Sequence, residues 1–305
     1  MVSRKTRVIS VGGGKGGTGK SFVAINVATA LVVRGYKVLL VDADVESPID
    51  HMLLSIRREK IREVFGFRPI ILPELCNGCG ECIEKCPEHA LIGKKGETPV
   101  LIKELCEGCS ICMYVCSVNA IREGKRRFGV IYRGTNGEID LIQGEVDVGV
   151  KQHIFVTLNT LREASKLFTN YDYVVIDSAP GTGAGVWLTI RDADLVIAVT
   201  EPTPLGARDL EIFLRLAQKL NKTAIVVLNK SGISGGNRDL IVELSGKYSA
   251  KLFDVHYDHD ALKAYVEGVP IVKAYPESMA SRDIRNIVDH IEKLYSLGDN
   301  GKNVR

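Results

Sequence analysis

The stretch that most restricts the fold is "RVISVGGGKGGTGKS" at residues 7–21, where an apolar run ends in six glycines within the eight residues 12–19. It passes straight into "FVAINVATALVV" at 22–33. An apolar strand feeding a glycine-rich turn and then a helix apolar on most sides is buried only within a sheet covered on both faces. Residues 7–14 therefore read as a buried strand and 21–34 as a helix. "KVLLVDADVES" at 37–47 reads as a second buried strand, with Asp42 and Asp44 at its end, where a parallel sheet places ligand groups. Further apolar strands at 173–177, 195–200, 224–230 and 251–257 alternate with helices near 158–168, 184–191, 207–220 and 236–246, followed by two closing helices. The alternation predicts an α/β fold with a mostly parallel sheet. Residues 54–65 read as a polar helical stretch, and "FGVIYRG" and "GEIDLIQGE" as sheet or connecting segments.

One region breaks the alternation. All eight cysteines lie in "LCNGCGECIEKCPEHAL" (75–91) and its near-copy "LCEGCSICMYVCSVNAI" (105–121), shifted by 30 residues. Clustering at ligand spacing argues against a disulfide scaffold. The region reads as an insertion at 67–125, dividing the rest into 1–66 and 126–305.

Both exceptional segments carry explicit chemistry. "GKGGTGKS", Gly14 to Ser21, matches the phosphate-loop pattern in its required strand–loop–helix context. Backbone N–H groups of Gly14, Gly16, Gly17, Thr18 and Gly19 can curl around phosphates, Lys20 can reach them, and Ser21 can ligate Mg2+. Cys76, Cys79, Cys82 and Cys86, repeated as Cys106, Cys109, Cys112 and Cys116, have the spacing of the bacterial ferredoxin run. Three closely spaced thiolates wrap three irons of one cubane, and the fourth iron needs a ligand from elsewhere. Zinc is the rival, although its tetrahedral sites usually pair two short units instead of a triple run.

The lysine at the start of the loop, Lys15 in "KGGTGKS", resembles the deviant Walker A motif of the MinD, ParA, Mrp and nitrogenase-iron-protein class of dimeric ATPases. The resemblance implies ATP and Mg2+ as ligands and a homodimer formed with ATP, with Lys15 reaching the partner's phosphates. It also implies that Asp42 and Asp44 of "VDAD" are switch I carboxylates, the second positioning the attacking water. "VVIDSAPGTG" resembles switch II, with Asp177 as the Walker B carboxylate and Gly181 near the γ phosphate. Pro202 in "TEPTPLGARDL" and Asn229 in "VLNK" fall where the family holds adenine. Bland alternatives exist: Asp is a common turn and cap residue, and Asn229 could serve a turn.

The insertion is similar to two-cluster ferredoxins. That likeness implies two [4Fe-4S] clusters, one on Cys76, Cys79, Cys82 and Cys116, the other on Cys106, Cys109, Cys112 and Cys86. Pro87 follows the first run but Ser117 the second, which leaves ligand number unchanged and bears on the rigidity and shielding of the cluster using Cys116. The whole chain resembles MinD-superfamily ATPases containing an inserted ferredoxin domain. Nitrogenase iron proteins and Mrp-type scaffolds hold a cluster between subunits on cysteines of the ATPase fold; here every cysteine lies in the insert.

Remaining features set limits. Charge is mixed along the chain and the net is +3, so nothing favours nucleic acid; the basic clusters at Arg4, Lys5, Arg7 and at Lys125, Arg126, Arg127 read as solvated element ends. No apolar run approaches the roughly 20 residues of a membrane span, so a cytoplasmic protein without stable membrane insertion is expected. "HYDHD" at 256–260 suggests a metal site but suits a helix cap better, and the closing helix with Ile284, Ile287, Val288, Ile291 and Leu294 is expected to pack on the sheet. Three functions follow: ATP-gated electron transfer to an unidentified protein acceptor in metallocofactor assembly or reduction, ATP-dependent carriage of clusters, or a non-redox positioning ATPase braced by clusters.

Overall fold

A computed structural model of the chain describes residues 6–233 and 236–300. Strand β1 (Arg7–Gly13) leads through the glycine turn into α1 (Lys20–Val33), and β2 (Val38–Asp42) is followed by the single turn α2 (Asp50–Leu53) and by β3 (Arg58–Ile71). The cysteine-bearing stretch holds α3 (Glu81–Glu84), β4 (Leu91–Ile92), β5 (Val100–Leu101) and α4 (Ile111–Tyr114). After β6 (Ile121–Thr135), β7 (Ile139–Val146) and α5 (His153–Ser165), the alternation resumes with β8 (Tyr173–Asp177), α6 (Ala184–Arg191), β9 (Leu195–Thr200), α7 (Pro204–Lys219), β10 (Thr223–Ser231), α8 (Arg238–Lys247) and β11 (Lys251–His256). Three helices close the chain: α9 (His259–Glu267), α10 (Ile271–Ala274) and α11 (Met279–Asn300).

The sheet order is β11-β10-β9-β1-β8-β2-β7-β6-β3. From β11 to β7 every neighbouring pair is parallel. Register decides what meets at the strand ends: Asp42 lies beside Asp177 on one side and Gln143 on the other. The helical reading of 54–65 is wrong, because the chain from Arg58 onward is strand β3. Its charged residues looked helical, yet β3 sits last in the sheet order with 59–62 exposed, and charge on an edge strand suits solvent and blocks further pairing. The second strand stops at Asp42, which leaves Asp44 in the following loop.

The chain divides into two compact units: one of residues 1–61, 131–145 and 157–305, the other of 62–130 and 146–156. In the first, α11 buries Ile284, Ile287, Val288 and Ile291 completely in the core, each contributing at most about 2–3 kcal/mol. Its polar side is engaged by Arg34, which pairs with Asp289 and Glu292. No helix among the described residues is long and apolar enough to cross a membrane.

The second unit has a small core of Cys82, Leu91, Cys112 and Ile121, with Phe67, Ile71, Ile83 and Leu101 among the side chains packed against it. Its repeat is visible in the backbone: the N–H of Ile102 donates to Ala90 O and that of Leu72 to Ala120 O, both at 2.8 Å. Of the basic cluster here, Arg126 bonds the carbonyls of Cys106 and Gly149 and Arg127 pairs with Glu63 and Asp147, while Lys125 and Arg127 are exposed. Arg4 and Lys5 lie outside the described residues; Arg7 stacks over the Tyr295 ring.

Candidate functional site

Close packing fixes the turn after β1. A Cβ at Gly13 would lie 2.1 Å from Val199 O, and one at Gly14 would strike Asp209. Gly17 and Gly19 adopt φ of +84° and +94°, the left-handed region that glycine enters without strain. A Cβ at Gly16 or Gly17 would meet nothing within 4 Å, so this side of the loop opens on free space. No side chain caps α1, whose first N–H groups can therefore serve an anion. Lys20 is buried and donates from Nζ to Lys15 O at 2.9 Å, while the Thr18 hydroxyl donates to the same carbonyl at 3.3 Å. Lys15 itself is exposed.

Other elements grip the loop. Asn229 donates from Nδ2 to Thr18 O at 2.9 Å, and a Cβ at Gly19 would lie 2.0 Å from that nitrogen. Lys230 reaches Gly17 O at 2.8 Å, and the N–H of Gly181 donates to Gly14 O at 2.6 Å. Pro202 lies apart, against Gly236, and neither it nor Asn229 lines the cavity beside the loop. That cavity, of about 390 Å³, runs from Gly16, Lys20, Ser21, Asp44 and Pro180 to an apolar wall including Ile25, Tyr265 and Ile271.

The strand ends converge beneath it. Ser21 donates from Oγ to Asp177 Oδ2 at 2.5 Å. Asp42 accepts from Gln143 Nε2 at 2.5 Å and from the backbone N–H groups of Asp44 and Asp50 at 3.1 and 3.3 Å. Burial pushes Asp42 up to about 7, against the pull of those donors. Burial raises Asp177 and Asp50 well above the carboxylate range, helped by neighbouring carboxylates, and it also raises Asp44, which Lys20 partly counters. Lys20 is lowered by burial despite the facing Asp177 and Asp44. The ligand oxygens of Asp42, Asp50 and Asp177 lie within 4.8 Å of one another.

Two of these groups escaped the sequence reading. Asp50 in "ESPIDHML" resembles an ordinary helix-start residue, and no spacing rule marks it. Gln143 left a trace: a lone amide in the apolar run of β7 must find a buried partner, which is Asp42. "HYDHD" is no metal cluster. His256 pairs with Asp283 at 2.8 Å, and Asp258 caps α9 by accepting from the N–H of Asp260.

In the cysteine unit, Cys76, Cys79, Cys82 and Cys116 line one small cavity with Ile71, Pro99 and Ile121. Cys82 and Cys112 are the second residues of α3 and α4, each helix following a residue in the left-handed region, Gly80 and Ser110. Cys86 and Cys116 each accept at sulfur from the N–H four residues on, of Ala90 at 3.3 Å and Ala120 at 3.1 Å. Burial, then neighbouring thiols, push Cys82 up and Cys112 to about 11, so these sulfurs need a positive partner to become thiolates.

Comparison with known proteins follows the same lines. The family model described as the CobQ/CobB/MinD/ParA nucleotide binding domain matches residues 9–271. An uncharacterized protein of Methanocaldococcus jannaschii is 31% identical over 312 residues, covering 93% of this chain and 96% of its own. An iron-sulfur cluster carrier protein of the same organism is 25% identical over 293 residues, covering 91% of this chain and 81% of its own. Among solved structures, the septum site-determining protein MinD complexed with Mg-ADP from Pyrococcus horikoshii matches with a TM-score of 0.61 at 22% identity, over 96% of this chain and 98% of that one.

Proposed function

The chain belongs to the CobQ/CobB/MinD/ParA nucleotide-binding family and carries its ATPase domain, and from that premise we propose that it couples a nucleotide-driven dimer switch to electron transfer through two [4Fe-4S] clusters. Gly14 to Gly19 would wrap the phosphates, and Gly16 and Gly17 leave the open space that this requires. Lys20 would exchange its bond to Lys15 O for phosphate oxygens. Ser21 and Asp177 fit Mg2+: they already pair, and Asp177 Oδ1 is a buried acceptor without a donor. Mg2+, when bound, neutralises charge on the phosphates. Asp42 would hold its place beneath the metal through Gln143, Asp44 would orient water, Gly181 would face the γ phosphate, and exposed Lys15 would reach a partner copy. Asn229 would act on the nucleotide through Thr18.

Residues 67–125 would form the ferredoxin-like insertion. The single observation that carries this reading is the cavity shared by Cys76, Cys79 and Cys82 with Cys116 of the second run, the crossed set that a two-cluster ferredoxin requires. Spacing also disfavours zinc. Each repeat carries a triple run, whereas tetrahedral zinc usually takes paired short units. Clusters held there would supply one-electron chemistry. Four ligands per cluster, two of the eight cysteines being buried, favour retention over release.

Carriage of clusters is the second reading, favoured by the relatives named iron-sulfur cluster carrier proteins. An anaerobic EPR redox titration with ADP and with a non-hydrolysable ATP analogue separates the two. A shift of about 60 mV or more, about 1.4 kcal/mol for a one-electron couple, is expected for gated transfer. Equal potentials together with loss of iron to an apo-acceptor would establish carriage, and a preparation unable to bind iron would end both.

A further inference from the structure

We propose that Asp42, Asp50 and Asp177 form a divalent-cation site that fills before nucleotide arrives, with Asp50 as the carboxylate that makes it independent of phosphate. The inference rests on the Mg-ATP reading of Ser21 and Asp177 and adds a state and a residue to it. In phosphate-loop enzymes the metal ordinarily relies on phosphate oxygens as well as protein ligands. Here the protein side alone is unusually rich in oxygen.

Solvent reaches none of the three carboxylates: Asp42, Asp50 and Asp177 are 1%, 0% and 1% exposed. Asp42 accepts from three donors on its two oxygens, which leaves lone pairs for a cation, and both oxygens of Asp50 and Oδ1 of Asp177 have no hydrogen-bond partner among the described residues. A buried acceptor left without a donor costs about 1–3 kcal/mol, and here three such atoms belong to two of the three aspartates whose ligand oxygens lie within 4.8 Å of one another. The nearby cations do not answer them. Lys20 gives its Nζ to Lys15 O, and Arg58 bonds Gln143 and pairs with Glu145. Compact, hard carboxylate oxygens with no protein donor suit Mg2+ or Mn2+, not a soft metal.

The position of Asp50 is set by backbone: its own N–H donates to Asp42 Oδ2, and its carbonyl accepts from the N–H of Leu54. A cation held by Asp50 would therefore pin both ends of the loop running from Asp42 through Asp44 to α2. Asp44 would be ordered before ATP binds.

The test uses full-length, cluster-loaded protein without nucleotide, titrated with Mn2+ while the EPR signal of free aquated Mn2+ is followed, with Mg2+ as competitor. One Mn2+ per chain, displaced by Mg2+, is expected. Asp50→Asn should weaken it at least tenfold. A wild type that binds Mn-ATP but takes up no Mn2+ alone overturns the proposal and leaves the ATPase reading intact. Failure to bind ATP with Mg2+ would instead strike that reading. Wild-type affinity in Asp50→Asn would assign Asp50 a purely structural, protonated role and overturn its part. Should that variant not fold, Asp50→Ser and the wild-type titration still decide the matter.

Discussion

The nucleotide-binding unit and the cysteine unit hold their reactive groups by opposite means. In the first, Asp42 and Asp177 close neighbouring parallel strands and Gln143 stands opposite Asp42 within the next one, inside a large apolar core, so register alone brings them together. In the second, six of the eight cysteines sit on loops and two on one-turn helices, around a small core of four buried residues of which two are Cys82 and Cys112 themselves. A scaffold of the first kind exists without its ligand and carries the cost of buried charge. One of the second kind buries too little to sustain itself and depends on what its cysteines bind.

The sharpest way to break that contrast is to remove iron. Anaerobic chelation should lower the hydrogen-exchange protection of amides between 72 and 121 by several kcal/mol, whereas amides of β1, β8 and β9 should keep theirs. Cys82→Ser should produce an intermediate loss in the same stretch. Full protection without iron would mean that the cysteine unit has a self-sufficient core after all.

The converse cost, buried charge, should appear as a pH dependence of the metal-free, nucleotide-free protein. Folded Asp42 titrates near 7, raised by burial, whereas the unfolded chain releases the same proton near 4. Between those values the folded state binds more protons, so stability is greatest on the acid side and falls as pH rises toward 7. Asp177 and Asp50, raised by the same burial, extend the fall in the same direction. Urea unfolding at pH 5 and pH 7.5 should differ by roughly 2–4 kcal/mol. Asp42→Asn or added Mg2+ should flatten the slope, and a stability that rises with pH would refute the assignment.

The same contrast explains what the sequence disclosed. Local motifs were legible wherever chemistry needs neighbours along the chain: the phosphate loop, the aspartates closing β2 and β8, both cysteine runs, and the amphipathic α11. The strand alternation was legible too, because buried parallel strands are continuous apolar runs. Asp50 was hidden because its role exists only after the loop beyond β2 folds back on Asp42. Strand β3 was misread for a related reason, its charges being helical in spacing and its strand state conferred by pairing. The grip of Asn229 on Thr18 likewise joins residues 211 apart, a contact no local pattern records.

The smallest test compares the two cysteine repeats with each other. At the residue before α3 the first repeat has Gly80 at φ +84°, whereas the second has Ser110 at φ +66° before α4. A side chain in the left-handed region costs about 1–2 kcal/mol, and glycine gives back part of that gain through the entropy of the unfolded chain. Ser110 caps nothing with its side chain, so no hydrogen bond opposes the exchange. Ser110→Gly should therefore stabilise the iron-loaded protein by about 0.5–1 kcal/mol in denaturant unfolding. Gly80→Ser should destabilise it by a similar amount, since a Cβ there meets nothing within 4 Å and only backbone strain is added. If both exchanges are neutral, the strain is absorbed by iron ligation, and the repeats are held by their metal even more fully than their small core implies.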